Sequence, residues 1–523
     1  MTAPAPSGSA PPTSAPPAIE LVGIDKRFGA VHANKDINLV IPKGTIHGIV
    51  GENGAGKSTL MSILYGFYSA DKGEIRVDGK PVAIRSSQDA IAAGIGMVHQ
   101  HFMLVDVFTV LENVILGAEG GRLVAKAEAR ARAELHRLET EYDLAVDPDA
   151  VVETLSVGLQ QRVEILKALY RGAEILILDE PTGVLTPSEA DHLFRILRQL
   201  RDQGKTIILI THKLREIMAV TDHVSVMRRG EMVAHLTTAE TSMEKIAEAM
   251  VGRHVLLEVD KGPANPGAVL LDVSGVSVRD KRGVTLVDNV SFQVRAGEIV
   301  GIAGVAGNGQ SELIEAITGI RAPTSGTVTV NGQPVPADPA KVRDLGLAHV
   351  PEDRHHMGLV LPFEARENAI LGYQDDPRYG SGLMQDAGAI LKTCETQMAA
   401  YDVRPPTPRL RTSLFSGGNQ QKIVVAREIE RDPKVLVVGQ PTRGVDIGAI
   451  EFIHKRLIDL RDQGKAVLLI SVELDEIRSL SDRVLVMFAG KVVGEVAPST
   501  GEGEIGLLMA GVAKDRQGKG AGA

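Results

Sequence analysis

One cysteine, Cys394, stands among 523 residues. Its isolation excludes an intrachain disulfide framework and any zinc or iron–sulfur site built on paired cysteines, and it points to a reducing compartment. Cys394 lies in the helix-like stretch ILKTCETQM, where simple packing or solvation is the expected fate. Basic excess is missing too: 57 Lys and Arg face 66 Asp and Glu, giving a formal net charge of −9 and a pI near 5.9. Nucleic-acid binding usually requires a basic face, so that class loses its electrostatic footprint; the acidity reads as plain solubility. Long apolar runs are absent as well. The run ILIL before Asp179 is typical, far short of the roughly 20 apolar residues of a spanning helix. Residues 1–18 are rich in Pro, Ala and Ser but lack a basic start and an apolar centre. That argues against an ordinary secretory signal and predicts a disordered lead-in; residues 512–523 read as a disordered tail. A role at a membrane would need separate subunits to supply the spans.

What is present is a repeat. The chain is too long for one ordinary core and long enough for two. RDQGK at Arg201–Lys205 returns at Arg461–Lys465, inside LRDQGKTIILIT and LRDQGKAVLLIS. Tyr142-Asp143-Leu144 matches Tyr401-Asp402-Val403, Ser156 matches Ser416, and Gly51 matches Gly304. Collinear matches across most of the chain mark a tandem duplication, with copies over 19–250 and 269–511. The Pro/Gly-rich DKGPANPGA belongs to a linker over 251–268. In each copy β-rich segments lead into amphipathic helical stretches such as AKAEARARAELHRLETEY, then short apolar strands alternate with helices. This alternation predicts an α/β domain with a mixed, mainly parallel sheet and a helical subdomain, twice over.

The first copy carries phosphate chemistry. GENGAGKST, comprising Gly51, Glu52, Asn53, Gly54, Ala55, Gly56, Lys57, Ser58 and Thr59, follows a strand-like segment and opens a helix. It fits G-x-x-x-x-G-K-[ST], a P-loop. Its glycines let backbone N–H groups close on phosphates, Lys57 reaches the β/γ-phosphates and Ser58 can ligate Mg²⁺. The buried-type strand ILILDE ends in Asp179, suited to the metal shell, and Glu180, suited to polarising an attacking water.

Three further features narrow the field. LSVGLQQ at Leu155–Gln161 precedes the acidic strand, while Gln100 (MVHQ) and His212 (ILITHK) each follow an apolar strand. Together they resemble the signature motif, Q-loop and switch histidine of the ATP-binding-cassette family, over nearly the whole chain. The resemblance implies an ATPase using ATP and Mg²⁺. Gln100 would couple metal and water to a membrane partner, His212 would contact the γ-phosphate, and Phe28 would stack on adenine.

The second copy differs at each of these contacts. Gln310 replaces Lys57, Gly439 and Gln440 replace Asp179 and Glu180, Val472 replaces His212, Glu352 replaces Gln100, and no aromatic near Lys281 matches Phe28. The signatures run the other way. FSGGNQQK keeps Ser416, Gly417 and Gly418, whereas LSVGLQQ has Val157 at the first glycine; Asp446 in PTRGVD is matched by Thr186 in PTGVLT. A β-branched Val157 would obstruct close backbone approach to a phosphate. Cassettes of this family pair head to tail, which implies one complete site, with the first P-loop, Gln100, Asp179, Glu180 and His212 facing Ser416, Gly417, Gly418 and Asp446. The other site would be degraded on both sides.

Longer strings, among them QHFMLVDVFTVLENVILG, GVAGNGQSELIEAITG, VPEDRHHMGLV and QPTRGVDIGAIEFIHKRL, resemble double-cassette ATPases of bacterial simple-sugar and nucleoside importers. Gln310 with Gly439-Gln440 favours the nucleoside branch over the sugar branch. The resemblance implies two permease subunits, an extracytoplasmic binding lipoprotein and a peripheral place on the cytoplasmic membrane face. The rival from another class is a soluble double cassette acting on ribosomes. Such proteins usually keep two good sites and a long charged linker. A DNA-repair cassette would need zinc cysteines and a basic face, and Glu180 with His212 speaks against a merely regulatory nucleotide binder.

Overall fold

The computed structural model describes residues 16–511 except 30, 100–102, 119–123, 183–184, 186, 255–260, 306, 382–383 and 446. Gln100, Thr186, Asp446 and the tail 512–523 lie outside the described residues, as do 1–15 of the lead-in. The chain divides into two compact units, Met1–His254 and Val255–Ala523.

The first unit has two sheets. Strands Val31–Ile41, Ile19–Phe28, Lys72–Val77 and Lys80–Pro81 form one in that order, antiparallel throughout. The other runs Glu231–Thr237, His223–Arg228, Ile46–Gly51, Thr206–Ile210, Ile175–Asp179, Ile95–Val98. Its pairs are parallel except the first, which is antiparallel. The central strands Ile46–Gly51 and Thr206–Ile210 are buried at every residue, which is why they read as continuous apolar runs and not as alternating ones. Between the sheets lies the helix Lys57–Leu64. Its Leu60, Met61 and Leu64 join Ile24 and Leu39 of one sheet and Ile49, Ile177 and Ile208 of the other in one core. Truncating a leucine such as Leu60 in that layer costs about 2–5 kcal/mol.

The second unit repeats this plan. Thr285–Arg295, Val269–Arg279, Ser325–Val330 and Gln333–Pro334 form the antiparallel sheet. The six-stranded order is Lys491–Val496, Arg483–Phe488, Glu298–Ala303, Ala466–Ser471, Val435–Gly439, Leu347–Val350. The α/β class and the internal repeat are as the sequence predicts.

Each helical subdomain is inserted between the outermost parallel strand and its neighbour, Ile175–Asp179 in the first unit and Val435–Gly439 in the second. In the first unit it comprises Val110–Ile115, Val124–Tyr142 and Val157–Tyr170. In the second it comprises Ala365–Asn368, Ala387–Ala400 and Gly417–Ile429, with a short hairpin at Gly380–Ser381 and Met384–Gln385. A buried asparagine ties each insertion to the preceding loop. Asn113 accepts from Val105 N–H and donates to the Val105 and Thr109 carbonyls; Asn368 does the same with Val360 and Glu364. Cys394 is packed inside the helix Ala387–Ala400, and burial pushes its thiol up to about 12, so it is unreactive. Among the described residues no helix is long and apolar enough to cross a membrane.

Candidate active site

The phosphate loop of the first unit leaves the buried strand Ile46–Gly51 and enters the helix Lys57–Leu64. Gly56 has φ 102°, and a Cβ there would strike the Ala33 carbonyl, so only glycine makes this turn. Buried Asn34 donates to the Gly56 carbonyl at 3.1 Å and braces the turn. Asn53, Gly54 and Ser58 are exposed, Glu52, Gly56 and Thr59 half-buried, and Ala55 buried. The loop therefore presents backbone and the Ser58 hydroxyl outward. Lys57 is buried, its Nζ donating to the Gly51 carbonyl at 2.6 Å and the Glu52 carbonyl at 3.1 Å. Burial pulls this amine below its usual range, against the carboxylates of Glu180, Asp179 and Glu52.

Asp179 ends its strand and Glu180 follows with φ 46°, its N–H donating to the Ile210 carbonyl at 2.8 Å. This left-handed turn is costly for a non-glycine residue and turns the glutamate off the strand axis. His212 Nδ1 lies 2.9 Å from Glu180 Oε1. Burial alone would raise the Glu180 carboxyl, but the His212 hydrogen bond and charge, with Lys57 and Lys213, outweigh it and hold the group below its usual range. Burial and then the charge of Glu180 push Asp179 up to about 6. The structure thus brings Lys57, Asp179, Glu180 and His212 together. Phe28, at the end of strand Ile19–Phe28, is exposed and stands edge-on to Tyr68 at 5.2 Å between centroids, with Lys26 5.4 Å from its ring. Sequence reasoning missed Tyr68 and Asn34; neither lies in a motif, and only the fold puts them there.

Mg²⁺ fits this donor set. Asp179 and Ser58 offer one carboxylate and one hydroxyl, the sparse oxygen ligation Mg²⁺ accepts when phosphates and water complete its shell. Among the described residues no group of three or more His, Cys, Asp or Glu could hold a metal unaided.

The second unit keeps this backbone and replaces its chemistry. Gly309 has φ 91° with its Cβ direction blocked by the Leu286 carbonyl, but Val287 stands in place of Asn34. Gln310 is buried, and its Nε2 has no hydrogen-bond partner among the described residues. Gln440 has φ 47°, and its side chain accepts from the Val472 N–H at 3.3 Å. Glu352 occupies the space that the missing aspartate leaves. A Cβ on Gly439 would run into Glu352 Cγ, and Ser311, at the Ser58 position, donates to Glu352 Oε2 at 2.5 Å.

The two signature loops also differ. Ser156 and Ser416 each cap the following helix, with Oγ accepting at 3.4 Å from Leu159 N–H and Asn419 N–H respectively. Val157, the first residue of the helix Val157–Tyr170, is exposed. Ser416 is exposed, Gly417 half-buried and Gly418 buried. The expected reason for glycine at 417 was approach to phosphate. The structure adds another: a Cβ there would lie 2.7 Å from Arg354 Nη2 and 2.8 Å from the Gly444 carbonyl.

These cassettes can be placed among known proteins. The family model described as ABC transporter matches residues 34–183 and 287–443. The chain is 50% identical over 504 residues to "Guanosine import ATP-binding protein NupO" of Bacillus subtilis, covering 96% of this chain and 99% of that protein. It is 48% identical to "Nucleoside import ATP-binding protein NupA" of Lactococcus lactis, covering 94% and 98%. Against "Glucose import ATP-binding protein TsgD13" of Haloferax volcanii it is 46% identical, covering 95% and 96%. With both cassettes matched and these relatives aligned almost end to end, the chain belongs to the ATP-binding-cassette transporter family, as an ATPase built of two cassettes.

Proposed function

We propose that this chain energises import of a nucleoside through separate permease subunits, using one composite ATP site. In this reading the loop Gly51–Thr59 cradles the ATP phosphates, Lys57 neutralises the β/γ charge, and Phe28, with Tyr68 beside it, receives the adenine. Glu180 orients the attacking water and takes up its proton, while His212 holds that carboxylate ionised and contacts the γ-phosphate. Mg²⁺, when bound by Ser58, Asp179 and Gln100, supplies charge neutralisation at the phosphates. Ser416, Gly417, Gly418 and Asp446 of the second unit close over the same nucleotide. The observation that carries the hydrolytic reading is the 2.9 Å pairing of His212 with Glu180, lost in the second unit where Val472 and Gln440 stand. The intact signature in that second unit supports the cross-unit pairing, because the losses then sort by composite site and not by copy.

The chain would sit peripherally on the cytoplasmic face of the membrane, with two permease subunits and an extracytoplasmic lipoprotein that captures cargo. Guanosine and nucleoside importers among the relatives favour a nucleoside. A glucose importer at 46% identity keeps a simple sugar as the second reading. Titrating the partner lipoprotein with nucleosides and, separately, with pentoses and hexoses decides between them. Nucleoside-only binding is expected, and sugar-only binding would replace the cargo assignment. Copurification of this chain with ribosomes instead of apolar permeases would overturn the transport role.

A further inference from the structure

The segment after Glu352 in the second unit has no equivalent in the first. Aligning the two copies leaves His355–Met357 as an insertion, and Phe102, outside the described residues, stands at the position of Arg354. Residues Arg354–Gly358 form a single π-helical turn, capped by Asp353, whose carboxylate accepts from His355 N–H at 2.8 Å and His356 N–H at 3.1 Å. Single π-turns are uncommon and recur at functional sites. This one grips the signature from two sides. Arg354 Nη1 donates to the Arg443 carbonyl at 2.8 Å, at the start of the loop that leads to Asp446. Its Nη2 fills the space beside Gly417. The next residue, His355, places Nε2 2.7 Å from Gln420 Oε1, and Gln420 Nε2 donates at 3.1 Å to the carbonyls of Thr412 and Phe415, just ahead of Ser416. Arg354 makes no ion pair among the described residues, and its Nε is buried without a hydrogen-bond partner there. A guanidinium so placed does not serve an ordinary surface salt bridge.

We propose that Arg354 is a positioning residue of the hydrolytic site: its guanidinium locks Gly417 and the Arg443–Gly444 loop onto the segment after Glu352, fixing the surface that closes over the nucleotide of the first unit. This rests on the composite-site reading above. By sequence, the arginine stands only in the unit whose signature is intact; the first unit has Phe102 at that position. In the first unit, Val157 occupies the position where the guanidinium would need a glycine.

The test uses the full purified chain, reading ATP turnover, KM and local hydrogen exchange. Ser416→Ala removes a hydroxyl from the signature without touching Arg354. Unchanged turnover in that variant would sink the composite-site reading itself, whatever Arg354 does. Given a loss there, Arg354→Ala is expected to lower kcat about 10–100-fold, the scale of an ångström-level misplacement. KM should stay within about twofold because the loop that holds Lys57 is untouched. Exchange should quicken at 413–420 and 441–445 and nowhere else. Arg354→Lys, which keeps the charge but not the fork, should fall between the two. Gly417→Val evicts the guanidinium and also obstructs approach to phosphate, so it should lose at least as much as Arg354→Ala; the double variant should be no worse than Gly417→Val alone, because the clamp is already broken there. Multiplicative losses in the double variant, unchanged exchange in the two segments, or a change in KM without one in kcat would each overturn the proposal.

Discussion

The phosphate loops of the two units share a backbone and differ in nearly every side chain that would meet a nucleotide. Gly56 and Gly309 both take left-handed turns against a carbonyl, and Glu180 and Gln440 both sit near φ 46–47° with N–H bonded at 2.8 Å to the next strand. A non-glycine residue held there costs on the order of 1–3 kcal/mol. The second unit bears that strain without the glutamate that would use it. Backbone geometry is thus tied to the packed sheet and helix, which both units need to fold. Side-chain chemistry is not tied in this way and has been lost where the composite reading has no use for it. Under the proposed composite site, the residues that the second unit keeps, Ser416, Gly417 and Gly418, are those that would face the first unit's nucleotide.

Exchanging the residues that differ breaks the comparison. Glu180→Gln gives the first unit the residue of the second and removes the base paired with His212. The variant is expected to bind ATP and to lose about 10²–10⁴-fold in turnover. In the second unit, Gln440→Ala should change turnover by less than about twofold. Steady-state phosphate release measures both; parental turnover in Glu180→Gln would remove the glutamate from the mechanism. The reverse exchange is obstructed sterically. Gly439→Asp restores the missing aspartate but drives its side chain into Glu352, which already fills the space. Chemical denaturation should show a loss of about 1–3 kcal/mol. Adding Glu352→Ala should recover most of it. If Gly439→Asp were neutral by itself, the side chain of Glu352 would not be occupying that space.

Much of this was legible in the residues. The P-loop, the Asp179–Glu180 strand end and His212 are local in sequence or carry a fixed position relative to an apolar strand, and the fold assembles them as expected. The duplication made the second unit readable by difference alone. Other features depend on contacts between distant segments that follow no short spacing. Glu352 filling the place of an aspartate needs the adjacency of strands Leu347–Val350 and Val435–Gly439. Tyr68 meets Phe28 across a loop, and Asn34 reaches Gly56 from another strand. Val157 reads from sequence as a defect in phosphate contact. Only the structure shows that its counterpart Gly417 also makes room for Arg354.

A smaller difference lies under the two central strands. In the first unit His47 is buried, with Nε2 2.8 Å from Ser225 Oγ, which in turn lies 2.8 Å from His235 Nδ1; the His223 ring is 6.1 Å away. The second unit has Val300 and Leu485 at the His47 and Ser225 positions. In place of His223 and His235 it has Arg483 and Glu495; Arg483 Nε meets Glu298 at 2.6 Å and Nη1 meets Glu495 at 3.3 Å. Burial, then the charges of His223 and His235, lower His47 from 6.5 to about 3. Its folded pKa lies below its unfolded one, so the fold favours the neutral ring. That stability is complete above about pH 6.5 and drains away as the pH falls toward 3. Between pH 7 and pH 5, His47 should cost the first unit about 2 kcal/mol. The second unit has no histidine at these positions, but burial lowers its His349, on strand Leu347–Val350, to about 4, so it should weaken over the same range as well. Calorimetry of the full chain, with limited proteolysis to assign each transition, should show the first unit weakening over this range. His47→Val with Ser225→Leu installs the apolar pair of the second unit and should flatten that dependence. An undiminished acid loss in the double variant would mean that other groups set the pH response of the first unit.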